Sequence, residues 1–102
     1  MSRLEQLRKL LEAAPDDPLA HYVLGLEHAN LAQYDEAIAA FAGALAVDAR
    51  YSAAYYHKAK AEIKAGRRDD ARQTLTAGLE VARSAGDMKT AREMQDLLDT
   101  IA

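Results

Sequence analysis

A period of 34 residues runs through the chain and constrains its fold more than any single residue does. Displacing the sequence by that period sets Ala20 on Ala54, Tyr22 on Tyr56, Gly25 on Ala59, Ala32 on Gly66, Asp35 on Asp69 and Ala37 on Ala71. Further along, Phe41 meets Leu75, Ala44 meets Gly78, Leu45 meets Leu79 and Val47 meets Val81. Small residues fall on small ones, large apolar residues on apolar ones, and turns on turns. The slide also works backwards. Leu4 falls on Ile38, Leu7 on Phe41, Leu11 on Leu45 and Ala13 on Val47, so the first segment reads as the second half of a truncated unit. A unit that cannot bury its own apolar face needs a neighbour, so units of this length stack into an array.

Composition says what the units are made of. The 102 residues suit one small domain. Half are apolar, and 23 of those are Ala, against one Phe and no Trp. Alanine is the best helix former and lets helices approach closely, so packed helices are expected. Local signals divide the chain into six. Leu4, Leu7, Leu10 and Leu11 recur at helical spacing over 3–14, and Pro15 and Pro18 interrupt them. Asp17-Pro18, a capping carboxylate with proline at the first helical position, opens a helix over 18–31. Asp35 is expected to cap 35–48 and Ser52 to cap 52–65, with Gly66 as the left-handed residue that closes the latter. Asp69 starts a helix that reaches Ser84, and Gly86-Asp87 stops it and starts another over 87–101.

The motif Leu24-Gly25 with His28, then Tyr34-Asp35-Glu36-Ala37-Ile38, Phe41, Ala44-Leu45 and Val47-Asp48, resembles the tetratricopeptide repeat family. The next unit repeats it with Tyr55, Ala59, Gly66, Asp69, Ala71, Leu75, Gly78-Leu79 and Val81. The resemblance implies an all-α, right-handed α-solenoid of antiparallel helix pairs in a single domain. Residues 1–15 form a truncated repeat helix, 18–51 repeat 1, 52–85 repeat 2 and 86–102 a capping helix. There are departures from the family pattern. His21 stands where a large aromatic is usual, Ala32 replaces the turn glycine, and Ala49 replaces the closing proline. Lys58 and Glu62 occupy positions that often hold Leu and an aromatic; at i, i+4 they can pair along the helix. In the last helix a strict 34-residue register would bury Lys89, Arg92 and Asp96. A shift of about two residues instead turns Ala91, Met94 and Leu98 inward, as a cap requires.

Charge and chemistry exclude more than they select. The net charge of −3 favours solubility over any one ligand. Residues 52–102 hold a basic stretch of Lys58, Lys60, Lys64, Arg67, Arg68 and Arg72, but Glu62, Asp69 and Asp70 interrupt it. That is a mixed-charge face, not the basic excess of a nucleic-acid-binding domain. No apolar run approaches the ~20 residues that span a bilayer. The start, Met1-Ser2-Arg3, lacks a secretory core, so a cytoplasmic location is expected. With no cysteine, disulfides and thiolate chemistry are excluded. His21 and His28 lie two helical turns apart, too far to share one ion easily, and both fall on packing positions. His57 is expected to face solvent or a partner. The pairs Asp16-Asp17, Asp35-Glu36 and Asp69-Asp70 all sit at helix starts, where carboxylates complement free N–H groups. No nucleophile has triad context and the glycines form no phosphate loop, so no enzyme, metal or cofactor is expected.

The resemblance implies a concave side lined by the first helix of each unit. On 18–31 that stripe is Leu19, Tyr22, Val23, Leu26, Ala29 and Asn30; on 52–65 it is Ala53, Tyr56, His57, Lys60, Ile63 and Lys64. The opposite stripe, Ala20, Leu24, Gly25, His28 and Leu31, is expected to pack inward. Either the first helix leans over Leu19, Tyr22 and Leu26, or they face solvent until a partner arrives. The expected activity is that of an adaptor whose groove binds a peptide segment or helix of a partner protein, apolar with acidic residues. Some family members hold a carboxylate with a Lys/Asn clamp. Here Tyr22, Leu26 and His57 stand in its place, which disfavours chaperone tails. The rival reading is a homodimer that buries the groove or the last helix.

Overall fold

Each break between helices in this chain falls where the local sequence cannot stay helical. The computed structural model describes residues 1–102 as six α-helices: α1 (Arg3–Ala13), α2 (Pro18–Asn30), α3 (Tyr34–Val47), α4 (Ser52–Lys64), α5 (Arg68–Ser84) and α6 (Met88–Ile101). Every boundary lies within one residue of its sequence expectation. Asp17 caps α2 by accepting the Leu19 N–H at 2.9 Å, with Pro18 in the first turn. Asp87 caps α6 through the Thr90 N–H. Gly66 and Gly86 adopt left-handed φ values of 80° and 75° after α4 and α5. The turn after α2 needs the same conformation, and there Ala32 adopts it, at φ 57°.

Three expected caps are not made. The cap of α3 is Gln33, and Asp35 lies inside the first turn, where it meets Arg67 at 2.8 Å. Tyr51 precedes α4, and the Ser52 hydroxyl instead donates to Asp87 Oδ2 at 2.7 Å. Arg67 precedes α5, and Asp69 pairs with Arg72. In each case the helix begins too early for the side chain to turn back on it; a partner from elsewhere in the fold takes Asp35 and Ser52, and Arg72, one turn along the same helix, takes Asp69. Asp35, Glu36, Asp69 and Asp70 still occupy first turns, where the positive helix end favours them. At the other end of the chain, Ser2 caps α1 through the Glu5 N–H.

The six helices pack in sequence order, and α2–α4 and α4–α6 also touch. No such contact joins α1 with α3 or α3 with α5. The even helices are therefore drawn together and the odd ones splayed, so the array curls toward the even-numbered layer. Its smallest dimension, 18 Å, corresponds to about two helix layers. Three apolar clusters follow one another along it. Leu7, Leu24 and Ala40 form the first; Ala37, Ile38, Phe41 and Ala61 the second; Ala59, Leu75, Leu79 and Met94 are at the heart of the third. Close approach sets the small residues. A Cβ on Gly25 would lie 2.6 Å from the Phe41 ring, and one on Gly78 would meet Tyr55 and the Met94 sulfur.

Inward expectations hold for Leu24, Gly25 and His28 but not for Leu31, which is 50% exposed because it lies just beyond the last turn of α2. In α6, Ala91 and Met94 are buried, Leu98 is half-buried, and Ile101 joins them; Lys89, Arg92 and Asp96 are exposed. Lys58 and Glu62 do pair, at 3.1 Å. Glu62 is buried, and its other oxygen accepts from the Thr74 hydroxyl at 2.6 Å. Lys58 also donates to that hydroxyl, so the interface of α4 with α5 contains a closed polar triangle. The usual desolvation penalty of a buried carboxylate is offset by these two charge-assisted bonds.

Candidate functional site

The even-numbered layer presents two recesses, one on each side of α2. Between α2 and α4 lies a cavity of about 260 Å³. From α2 it is lined by Leu26, Ala29 and Asn30, and from α4 by His57, Lys60, Ala61 and Lys64. Tyr34 and Phe41 of α3 close its floor. Six of these, Leu26, Ala29, Asn30, His57, Lys60 and Lys64, belong to the stripe read from the sequence. Phe41 is fully buried as a core residue and lies directly beneath the gap between the two helices. Periodicity marks such a residue as core and gives no hint that it also underlies a cavity. Tyr34 and Ala61 escaped the sequence reading for the same reason.

Aromatic rings continue from this cavity. Tyr22 lies 5.9 Å from Phe41, 5.0 Å from Tyr51 and 5.6 Å from His57, centroid to centroid. His57 in turn lies 6.0 Å from Phe41 and 5.2 Å edge-on from Tyr56. His57 is thus half-buried among rings and lines the cavity, because it points back across the groove toward α2; of the two expectations for it, solvent or a partner, full solvation does not hold. Burial lowers its pKa, Lys60 lowers it further, and Glu93 of α6 opposes both. Burial raises the pKa of Tyr22, with Tyr51 adding to the effect. Tyr51 is raised by burial, then by Asp17 and Asp48. Lys60 holds its ammonium 5.3 Å over the Tyr56 ring, and neither Lys60 nor Lys64 has a carboxylate partner.

The other recess, about 190 Å³, lies between α1 and α2. Leu7, Leu10 and Ala14 line one side, and Leu19, Ala20 and Val23 the other, with Asp17 at the edge. Neither alternative for Leu19, Tyr22 and Leu26 describes all three: Tyr22 and Leu26 pack on the Ala37–Phe41 cluster and not under the first helix, while Leu19 is 53% exposed beside Leu10 at 59%. The residue that packs with the first helix is Val23, on the Leu7–Leu24 cluster. Tyr56 and Ile63 pack on the third core cluster, and neither they nor Ala53 lines either recess. The structure thus divides the single sequence stripe into two recesses and a packed remainder.

The remaining histidines are structural. His21 donates from Nε2 to the Pro15 carbonyl at 2.7 Å and lies against Gly43. Buried His28 donates from Nδ1 to the Gln33 carboxamide at 2.8 Å, tying α2 to the turn that follows it. No three His, Asp or Glu side chains are grouped to hold a metal ion. No helix is long and apolar enough to cross a membrane.

Stacked antiparallel hairpins with a recessed inner layer define a helical repeat protein. A tetratricopeptide repeat model matches residues 31–94, and the chain belongs to that family. Among solved structures it is similar to a Bordetella parapertussis protein determined in solution, 32% identical over 99% of this chain and 88% of that one, with a TM-score of 0.85. It is also similar to a tetratricopeptide repeat domain protein of Salinibacter ruber (36% identity, 85% and 88% covered, TM-score 0.78). The TPR2B domain of yeast Sti1, solved in complex with pHsp70, is 26% identical (96% and 78% covered, TM-score 0.91). No curated protein sequence matches the chain significantly.

Proposed function

We propose that this protein is a non-enzymatic adaptor that binds a segment of a partner protein on its even-numbered face. The observation that carries this reading is the cavity between α2 and α4, where an apolar floor of Leu26 and Phe41 meets two unpaired lysines. An apolar side chain fills such a floor, and a neighbouring carboxylate satisfies Lys60 and Lys64. The Sti1 domain, solved with a bound partner, supports the same general use of this fold. The repeat limits drawn from the sequence and a cytoplasmic setting belong to this reading. Self-assembly through α6 receives less support, since Leu97 and Leu98 pack against the third core cluster.

Affinity capture from the native cell, followed by NMR mapping of the captured segment, tests the proposal. Binding should shift the Ala29, His57 and Lys64 signals. Lys60→Glu, at an exposed position, should weaken the partner by about 1–2 kcal/mol without unfolding the protein. A partner that maps to the odd-numbered helices, or ignores Lys60→Glu and Tyr22→Ala alike, would refute it.

A further inference from the structure

His57 stands apart from the other two histidines. His21 and His28 each commit a ring nitrogen to a partner within the chain, the Pro15 carbonyl and the Gln33 carboxamide. His57 makes no such bond. It meets the rings of Tyr22, Phe41 and Tyr56 and lines the α2–α4 cavity with both nitrogens uncommitted. The charges around it are one-sided. From its own helix it faces Lys60 and Lys64, neither of them in an ion pair. From α2 come Tyr22 and Asn30, and from α3 Tyr34 and Phe41, all uncharged. Tyr51 lies beyond Tyr22, and the carboxylates of Asp17 and Asp48 act on that outer ring. The carboxylate that acts on His57 is Glu93 of α6, and it is outweighed: burial, then Lys60, hold the ring below its ordinary pKa and so neutral at neutral pH.

An anion in the cavity reverses that balance. A carboxylate drawn to Lys60 and Lys64 shares one lining with His57. It offsets the repulsion from Lys60 and accepts from a ring nitrogen, and a bond between two charged groups is stronger than one to a neutral ring. The carboxylate therefore favours the protonated ring, and by reciprocity the protonated ring favours the carboxylate. Resting on the adaptor reading above, we infer that an acidic side chain of the bound segment and a proton on His57 enter the cavity together, so that mild acid tightens the hold on the partner. The apolar residue next to that side chain occupies the floor at Leu26 and Phe41. The lysines alone would give no such dependence, since they stay charged throughout the range in which histidine titrates.

The blocked peptide acetyl-Phe-Glu-amide is the probe, and acetyl-Phe-Gln-amide, of the same shape without the charge, is its control. NMR titrations at about pH 8 and about pH 5.5 span the histidine range while the glutamate stays ionised. The probe should shift Ala29, His57 and Lys64 and bind about five- to tenfold more tightly at the lower pH, the change expected if the bound carboxylate raises the His57 pKa by about one. The His57 ring signals should titrate at higher pH in the saturated protein than in the free one. The control should show neither effect. In His57→Gln the ratio of the two probe affinities should fall below about twofold, whatever the affinity itself. Equal probe affinity at the two pH values, the same pH response with the control or in His57→Gln, or no binding of the probe at either pH overturns the inference and leaves the adaptor reading standing. The adaptor reading fails separately, if the captured native partner maps to the odd-numbered helices.

Discussion

At the scale of the residue, shape and backbone conformation set the terms. Ala32 carries a side chain at a left-handed φ where Gly66 and Gly86 carry none. It is exposed, so Ala32→Gly loses no packing and relieves ~1 kcal/mol of strain. Chemical denaturation should record that gain as a higher midpoint with an unchanged slope. Gly25→Ala should have the opposite sign, because its new methyl has only the fully buried Phe41 ring to push against. A loss of about 1–3 kcal/mol is expected from such overpacking. His57 titrates below its ordinary value in the fold, so the unfolded chain binds its proton first. The contribution is complete above the ordinary histidine pKa and is lost as pH falls from there through the folded value. Thermal melts across that window should show stability rising with pH, and His57→Gln should flatten the slope.

At the scale of the element, periodicity carried most of the information. A helix needs only its apolar spacing and its breakers, and Pro15, Pro18, Gly66 and Gly86 supplied those. Even the shifted register of α6 was legible, because Lys89, Arg92 and Asp96 could not all be buried. Cap partners were not legible. Asp35, Ser52 and Asp69 look alike as helix-starting residues, and only the third dimension brings Arg67 to the first and Asp87 to the second. The division of the groove was hidden for a similar reason: a stripe on α2 does not say how far α1 leans over it. The Ser52–Asp87 bond ties the start of α4 to the start of α6, so Ser52→Ala should cost about 1 kcal/mol. Hydrogen exchange should register that cost first in the opening turn of α6. Met94 is fully buried where α6 covers α5, and Met94→Ala should cost about 3 kcal/mol in global unfolding.

Viewed whole, the molecule is a curved slab whose inner layer is apolar at the centre and charged at the rims of its recesses. Its mild net charge conceals that arrangement, since the excess is acidic in the first half and nearly balanced in the second. Similarity between the hairpins also raises a question of assembly, and the Lys58–Glu62–Thr74 triangle bears on it. One period earlier these positions are Leu24, His28 and Ala40. Were α4 to dock on α3 in the manner it docks on α5, Glu62 would face the methyl of Ala40 with no hydroxyl to meet it. A stranded carboxylate there would cost several kcal/mol. Three polar side chains thus act as an address that tells each helix which of two look-alike neighbours to fold against.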